Sequence, residues 1–116
     1  MNTLFILSDP PYGTERSYNG LRLANAVAKR ENTEVKVFLI GDAASCAKKG
    51  QAVPQGYYNV ELMLKGIVRR NGRVGVCASC MDARGISDGE LIEGSCRSSL
   101  EELTDWAIWA DKVIAF

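Results

Sequence analysis

At 116 residues, with 47% hydrophobic and 24% charged residues, the chain has the size of one domain and enough apolar side chains to fold around one core without disulfides or metal. Its 14 basic residues cancel 14 acidic ones, so the net positive charge that favours nucleic-acid binding is missing and, a local basic patch aside, no direct nucleic-acid partner is expected. No apolar run nears the roughly 20 residues that a membrane-spanning helix needs, so no membrane partner is expected either.

The first apolar run, Thr3 to Leu7, reads as a strand buried on both faces. It is strand-sized and follows no basic segment, so the N-terminus reads as that of a mature cytoplasmic protein, whose four cysteines are then reactive or buried thiols rather than bridges. In the loop Ser8 to Glu15, Tyr12, Gly13 and Thr14 are candidates for binding an anion at a helix start, against the plainer reading of a rigid Pro10-Pro11 turn that shapes a pocket wall. Tyr18, Leu21, Ala24, Val27 and Ala28 recur at helical spacing, which predicts a helix from Ser17 to Arg30. A second buried strand follows from Glu34 to Ile40, then a short helix opening at Gly41 and a loop from Gly50 to Gly56.

Leu62, Leu64, Ile67 and Val68 predict a second long helix ending near Asn71-Gly72, with Gly66 counting against it. Val74 to Cys77 reads as the third strand and Glu90 to Ser95 as a short fourth. Ser98 and Glu101 have the spacing of a capping box, which starts a final helix from Ser99 to Ala110, and Lys112 to Phe116 reads as a last strand. Alternating strands and helices imply an α/β fold: a single three-layer domain over residues 1–116, with a mostly parallel sheet of about five strands, helices on both faces and right-handed crossovers.

Ligands and reactive groups of such sheets gather at the carboxyl ends of the strands. Cys46, Cys77 and Cys96 all fall in segments expected there, and Cys80 lies one helical turn beyond Cys77. Histidine is absent, so the pair Cys77-Ala78-Ser79-Cys80 at a strand-to-helix junction makes sulfur the leading reactive group. Cys77, at the strand end, is the candidate nucleophile, and Cys80 the thiol that resolves a disulfide or persulfide formed on it. A zinc site would need Cys46 or Cys96 as well, and neither sits in a second such pair, so no metal is expected. A phosphatase loop needs a cysteine and an arginine separated by five residues, whereas six separate Cys77 from Arg84. Trp106 and Trp109 read as packing residues for the sheet or a neighbouring subunit.

With these residues in place, the chain resembles the DsrE/DsrF-like family, and most closely its YchN-like branch. The likeness runs through Pro11 to Glu15, Leu21 to Ala24, Gly50-Gln51, Gly56-Tyr57, Cys77 to Ile86 and Ala110 to Val113. It implies a parallel α/β fold of flavodoxin-related topology, homo- or hetero-oligomers up to hexamers, and sulfur transfer through a cysteine persulfide. In the sulfur-carrying members the acceptor cysteine ends a strand and is followed, after a short helix, by a basic residue and glycine. Cys77 with Arg84-Gly85 occupies that place, while Cys80 is shared with YchN-like relatives and lies outside the relay pattern.

The reading is therefore a cytoplasmic sulfur carrier or sulfurtransferase-like protein, a homo-hexamer or trimer with protein sulfur donors and acceptors. Cys77 would hold the sulfur, Arg84 would add positive charge beside it or form a plain surface ion pair, and no cofactor is called for. The alternative is a non-catalytic oligomeric module that binds a small ligand or protein around Tyr12 and Cys77. A thiol-disulfide redox protein is a further option.

Overall fold

The computed structural model describes residues 1–116. In chain order the elements are β1 (Asn2–Leu7), α1 (Arg16–Ala28), β2 (Glu34–Leu39), a 3-10 segment (Gly41–Ala47), α2 (Val60–Arg69), β3 (Arg73–Cys77), α3 (Ala78–Ala83), a 3-10 turn (Asp88–Glu90), β4 (Ser95–Ser98), α4 (Leu100–Trp109) and β5 (Lys112–Ala115). The five strands form one parallel sheet in the order β4-β3-β2-β1-β5. The α/β fold with helices on both faces is as the sequence leads one to expect. No helix is long and apolar enough to cross a membrane.

The strand order dictates which face each helix covers. From β1 to β4 the chain steps across the sheet in one direction, so right-handed crossovers place α1, α2 and α3 on the same face. The return from β4 to β5 runs the opposite way, and the same handedness puts α4 alone on the other face.

Side chains alternate between these two layers, as the period of a strand requires. Along β2, Val35, Val37 and Leu39 enter a cluster of 20 buried residues under α1 and α2, whereas Phe38 joins Leu4 and Trp106 in a cluster of three under α4. Trp106 lies edge-on to Phe38, with ring centroids 6.1 Å apart. A Cβ on Gly75 would come within 3.0 Å of the Trp106 ring, so the missing side chain on β3 makes the slot that the indole fills.

Two local expectations need correction. The fourth strand is not Glu90 to Ser95: Glu90 ends a 3-10 turn with a capping box on Ser87, and Leu91 and Ile92 are buried in the larger core. Gly94, at φ +90°, then turns the chain, and the polar run Ser95–Ser98 supplies the edge strand. The cap of α4 is Ser99 and not Ser98: its side chain accepts from the Glu102 N–H at 3.1 Å, and Ser98 Oγ instead donates to the Glu102 carboxylate.

Gly66, which argues against a helix by propensity, lets α1 and α2 approach. A Cβ there would meet Asn25 Oδ1 at 2.7 Å, and the Asn25 amide donates to the carbonyls of Leu21 on α1 and Met63 on α2. Intrinsic propensity favours alanine over glycine in a helix by about 1 kcal/mol. The crowding should outweigh it, so Gly66→Ala is expected to destabilise the protein by about 1–3 kcal/mol in urea unfolding, and a stabilised variant would refute the packing role.

Candidate functional site

Cys77 is the last residue of β3 and the N-cap of α3, so its backbone leaves the sheet where the short helix begins. Alternation along β3 sends Val74 and Val76 into the larger core and Cys77 to the α4 side, where it packs with Ile6, Ile40, Leu103 and Ala110 on the smaller cluster. Its thiol opens into a pocket of about 280 Å³ lined by Phe38, Ile40, Ala78, Ser79, Leu100 and Leu103 together with Ser98 and Ser99. The walls are apolar side chains and three serines, and no charged side chain lines the pocket.

Cys80 packs instead against the larger core on the opposite side of the sheet edge, and the Gly41 N–H donates to its sulfur at 3.1 Å. The two thiols nonetheless influence each other's acidity. Burial raises the pKa of Cys77, but the Ser79 hydroxyl, 3.3 Å from its sulfur, the Cys80 thiol and the backbone N–H groups of Cys80 and Ser79 outweigh it and hold the pKa below its ordinary value. The neighbouring Cys77 thiol raises that of Cys80, helped by burial and opposed by the Gly41 N–H and the charge of Arg84. Cys77 is therefore the more acidic thiol of the pair and the better nucleophile.

The other two cysteines stand apart. Cys46 is fully buried in the 3-10 segment, and burial pushes its thiol up to about 12. Cys96 is exposed in the middle of edge strand β4, in register with Gly75, and so is not in the loop where the sequence suggested it. No group of three or more Cys, His, Asp or Glu side chains converges as a metal site requires.

Of the candidate anion-binding residues, none lines the Cys77 pocket. Tyr12 OH donates to Gln51 Oε1 at 2.6 Å and accepts from the Val60 N–H at 3.1 Å, which ties its loop to the start of α2. Thr14 Oγ1 donates to Asp9 at 2.8 Å, and Gly13 turns the chain between them at φ +99°. Arg84 does fold back, but onto Asp42, with Nη2 at 2.7 Å and Nε at 3.1 Å, and onto the Cys80 carbonyl at 3.1 Å. Its charge is thus paired with a carboxylate 42 residues away in the chain, the surface ion pair that was the other option for it, and it reaches Cys80 rather than Cys77. The sequence reading also missed Phe38, Ile40, Leu100 and Leu103. The period of two along β2 would have put Phe38 and Ile40 on one face, but nothing local assigns Cys77 to that face.

The model of the DsrE/DsrF-like family matches residues 1–116. The chain belongs to this family. Protein YchN of Escherichia coli K12 is 39% identical over 114 residues, 97% of each chain, and an uncharacterized protein of Methanocaldococcus jannaschii is 34% identical over the full length of both. The crystal structure of the Escherichia coli ychN protein superposes with a TM-score of 0.91 over 100% of both chains. A Methanobacterium thermoautotrophicum protein of unknown function, at 13% identity and a TM-score of 0.74, shares the fold.

The site chemistry predicts an order of reactivity for this DsrE/DsrF-like chain. Cys77 should be carboxamidomethylated about tenfold or more faster than Cys96 at pH 7, with a rate midpoint below the ordinary thiol value near 8.5, because only the thiolate reacts. Cys46 should stay unmodified in the folded protein. Peptide mass spectrometry across pH checks this, and a slow Cys77 would overturn its assignment.

Proposed function

We propose that this DsrE/DsrF-like protein is a cytoplasmic sulfur carrier that holds sulfane sulfur as a persulfide on Cys77. The observation that carries the reading is the cysteine pair at the end of β3: a thiol with a lowered pKa that lines a pocket, three residues before a second thiol with a raised one. In loading, the Cys77 thiolate attacks a sulfane sulfur of a donor that contains an S–S bond. A bond forms between Cys77 Sγ and that sulfur, the donor S–S bond breaks, and the donor thiolate leaves with the electron pair. Cys80, with its pKa raised, competes less well for the donor.

In discharge, Cys80 loses its proton to solvent and attacks one of two sulfurs. Attack on the outer sulfur moves it to Cys80, with the Cys77 thiolate as leaving group. Attack on Cys77 Sγ expels it as hydrosulfide and leaves a Cys77–Cys80 disulfide, which a partner dithiol reduces. The first route passes sulfane sulfur onward, because an acceptor thiolate can attack the outer sulfur on Cys80 and expel the Cys80 thiolate, whereas the second releases the sulfur as sulfide.

The carrier acts as a homo-oligomer, a trimer or hexamer. Ile108, at 80% exposure, and Val113, at 49%, lie on the α4 side of the sheet, which a single ten-residue helix covers. A second copy laid there would remove this apolar surface from water.

Two experiments test the proposal. After exposure to polysulfide, intact mass should show one added sulfur atom on the wild type and none on Cys77→Ser, whereas Cys80→Ala should load normally and lose its sulfur more slowly. Equal loading of Cys77→Ser and wild type would sink the carrier assignment, and no loading of either would favour a binding module. For assembly, light scattering should show an oligomer that Ile108→Asp breaks into smaller species with an unchanged far-ultraviolet spectrum. A wild-type monomer at micromolar concentration would refute the interface.

A further inference from the structure

The walls around Cys77 bear on what it reacts with, and this inference rests on the carrier reading. From the pocket's volume and lining we infer that its sulfur donor is a small, uncharged organic polysulfide, a dialkyl trisulfide or its longer homologues, rather than an anionic donor such as thiosulfate or a charged peptide persulfide. The pocket, about 280 Å³, sits at the lower end of the range of small-molecule sites, and Phe38, Ile40, Leu100 and Leu103 form most of its wall. A doubly charged donor entering it would lose hydration and find no cation in return. Arg84, the cation nearest Cys80 in the chain, is paired with Asp42, and the only polar side chains in the lining are the hydroxyls of Ser79, Ser98 and Ser99.

Two alkyl groups gain by the same transfer, since each methylene taken from water contributes about 0.8 kcal/mol. The sulfane sulfur of a trisulfide is its central atom, flanked by the two apolar arms, so seating the arms against Phe38 and Leu103 presents the S–S bonds to Cys77 at the pocket wall. Ser79, hydrogen-bonded to Cys77 Sγ at 3.3 Å, adds a hydroxyl beside the reacting sulfur.

The reaction balances without any outside oxidant or reductant. Cys77 thiolate attacks the central sulfur of R–S–S–S–R, one of its S–S bonds breaks, and an alkanethiolate leaves with the electron pair. That alkanethiolate then attacks the remaining alkylthio sulfur, which forms R–S–S–R and leaves Cys77 as its persulfide anion. The trisulfide has lost one sulfur atom, and its two arms depart joined as a disulfide.

Dipropyl trisulfide and thiosulfate leave the same single added sulfur on Cys77, so intact mass compares them directly. Each loading rate is divided by that of free cysteine with the same donor, which removes intrinsic reactivity. The normalised rate with the trisulfide should exceed that with thiosulfate by at least tenfold. Leu100→Gln, at a position 75% exposed where folding is not at stake, should slow trisulfide loading about fivefold and leave iodoacetamide modification of Cys77 unchanged. Leu100→Arg should shift the preference towards thiosulfate.

Equal normalised rates, or a Leu100→Gln variant that loads from the trisulfide like wild type, would overturn the inference while polysulfide loading of Cys77 leaves the carrier reading standing. Failure of Cys77 to load from polysulfide as well as from both these donors would bring down the two together.

Discussion

One helix has to cover a whole face of a five-stranded sheet, and much of this molecule follows from that. The handedness of the crossovers leaves no alternative: three helices go to one side and the return connection alone to the other. Ten residues of helix span only about 15 Å, so α4 can shield the middle of the sheet but not its ends. Trp106 makes that middle secure by filling the gap above Gly75 and meeting Phe38, and its loss would cost about 3–5 kcal/mol. What α4 leaves uncovered at the carboxyl ends of the strands is the hollow beside Cys77.

The cysteine pair inherits the same asymmetry. Cys77 is still governed by strand alternation and faces α4, whereas Cys80, within the first helical turn, packs with the core under α1 and α2. The more acidic thiol ends a strand and its partner lies in the helix that follows, so regular structure positions both. The Gly41 N–H, from the 3-10 segment that follows β2, and the Arg84–Asp42 ion pair fix α3 against that segment. The ion pair is largely solvated and contributes about 1 kcal/mol or less, so its value is positional.

The sequence announced most of the fold because the inner strands are runs of β-branched and aromatic residues and the long helices repeat at 3.6. It was least informative where a strand is defined by its neighbour. Ser95–Ser98 carries no β signature and pairs because β3 offers a free edge, while Leu91 and Ile92, which look like strand, plug the core. The site divides in the same manner. Cys77 at a strand-to-helix junction could be read from a dozen consecutive residues. Its pocket joins β2, β3 and the start of α4, and the partner that draws Arg84 away lies on a different element, so both depend on contacts between distant segments. Tyr12 looked like a ligand residue because its loop leads into a helix start, and Gln51 and Val60, distant in the chain, engage its hydroxyl instead.

Cys46 gives the chain a built-in clock for its own opening. Its sulfur lies wholly out of solvent against the Asp9 carbonyl, within the segment that also supplies the Gly41 N–H to Cys80. A thiol reagent can reach it only in molecules that have transiently lost that packing, so its labelling rate measures the free energy of local unfolding directly beneath the reactive pair. A substitution that silences Cys77 while the Cys46 clock keeps its pace has altered chemistry, and one that speeds the clock has loosened the scaffold.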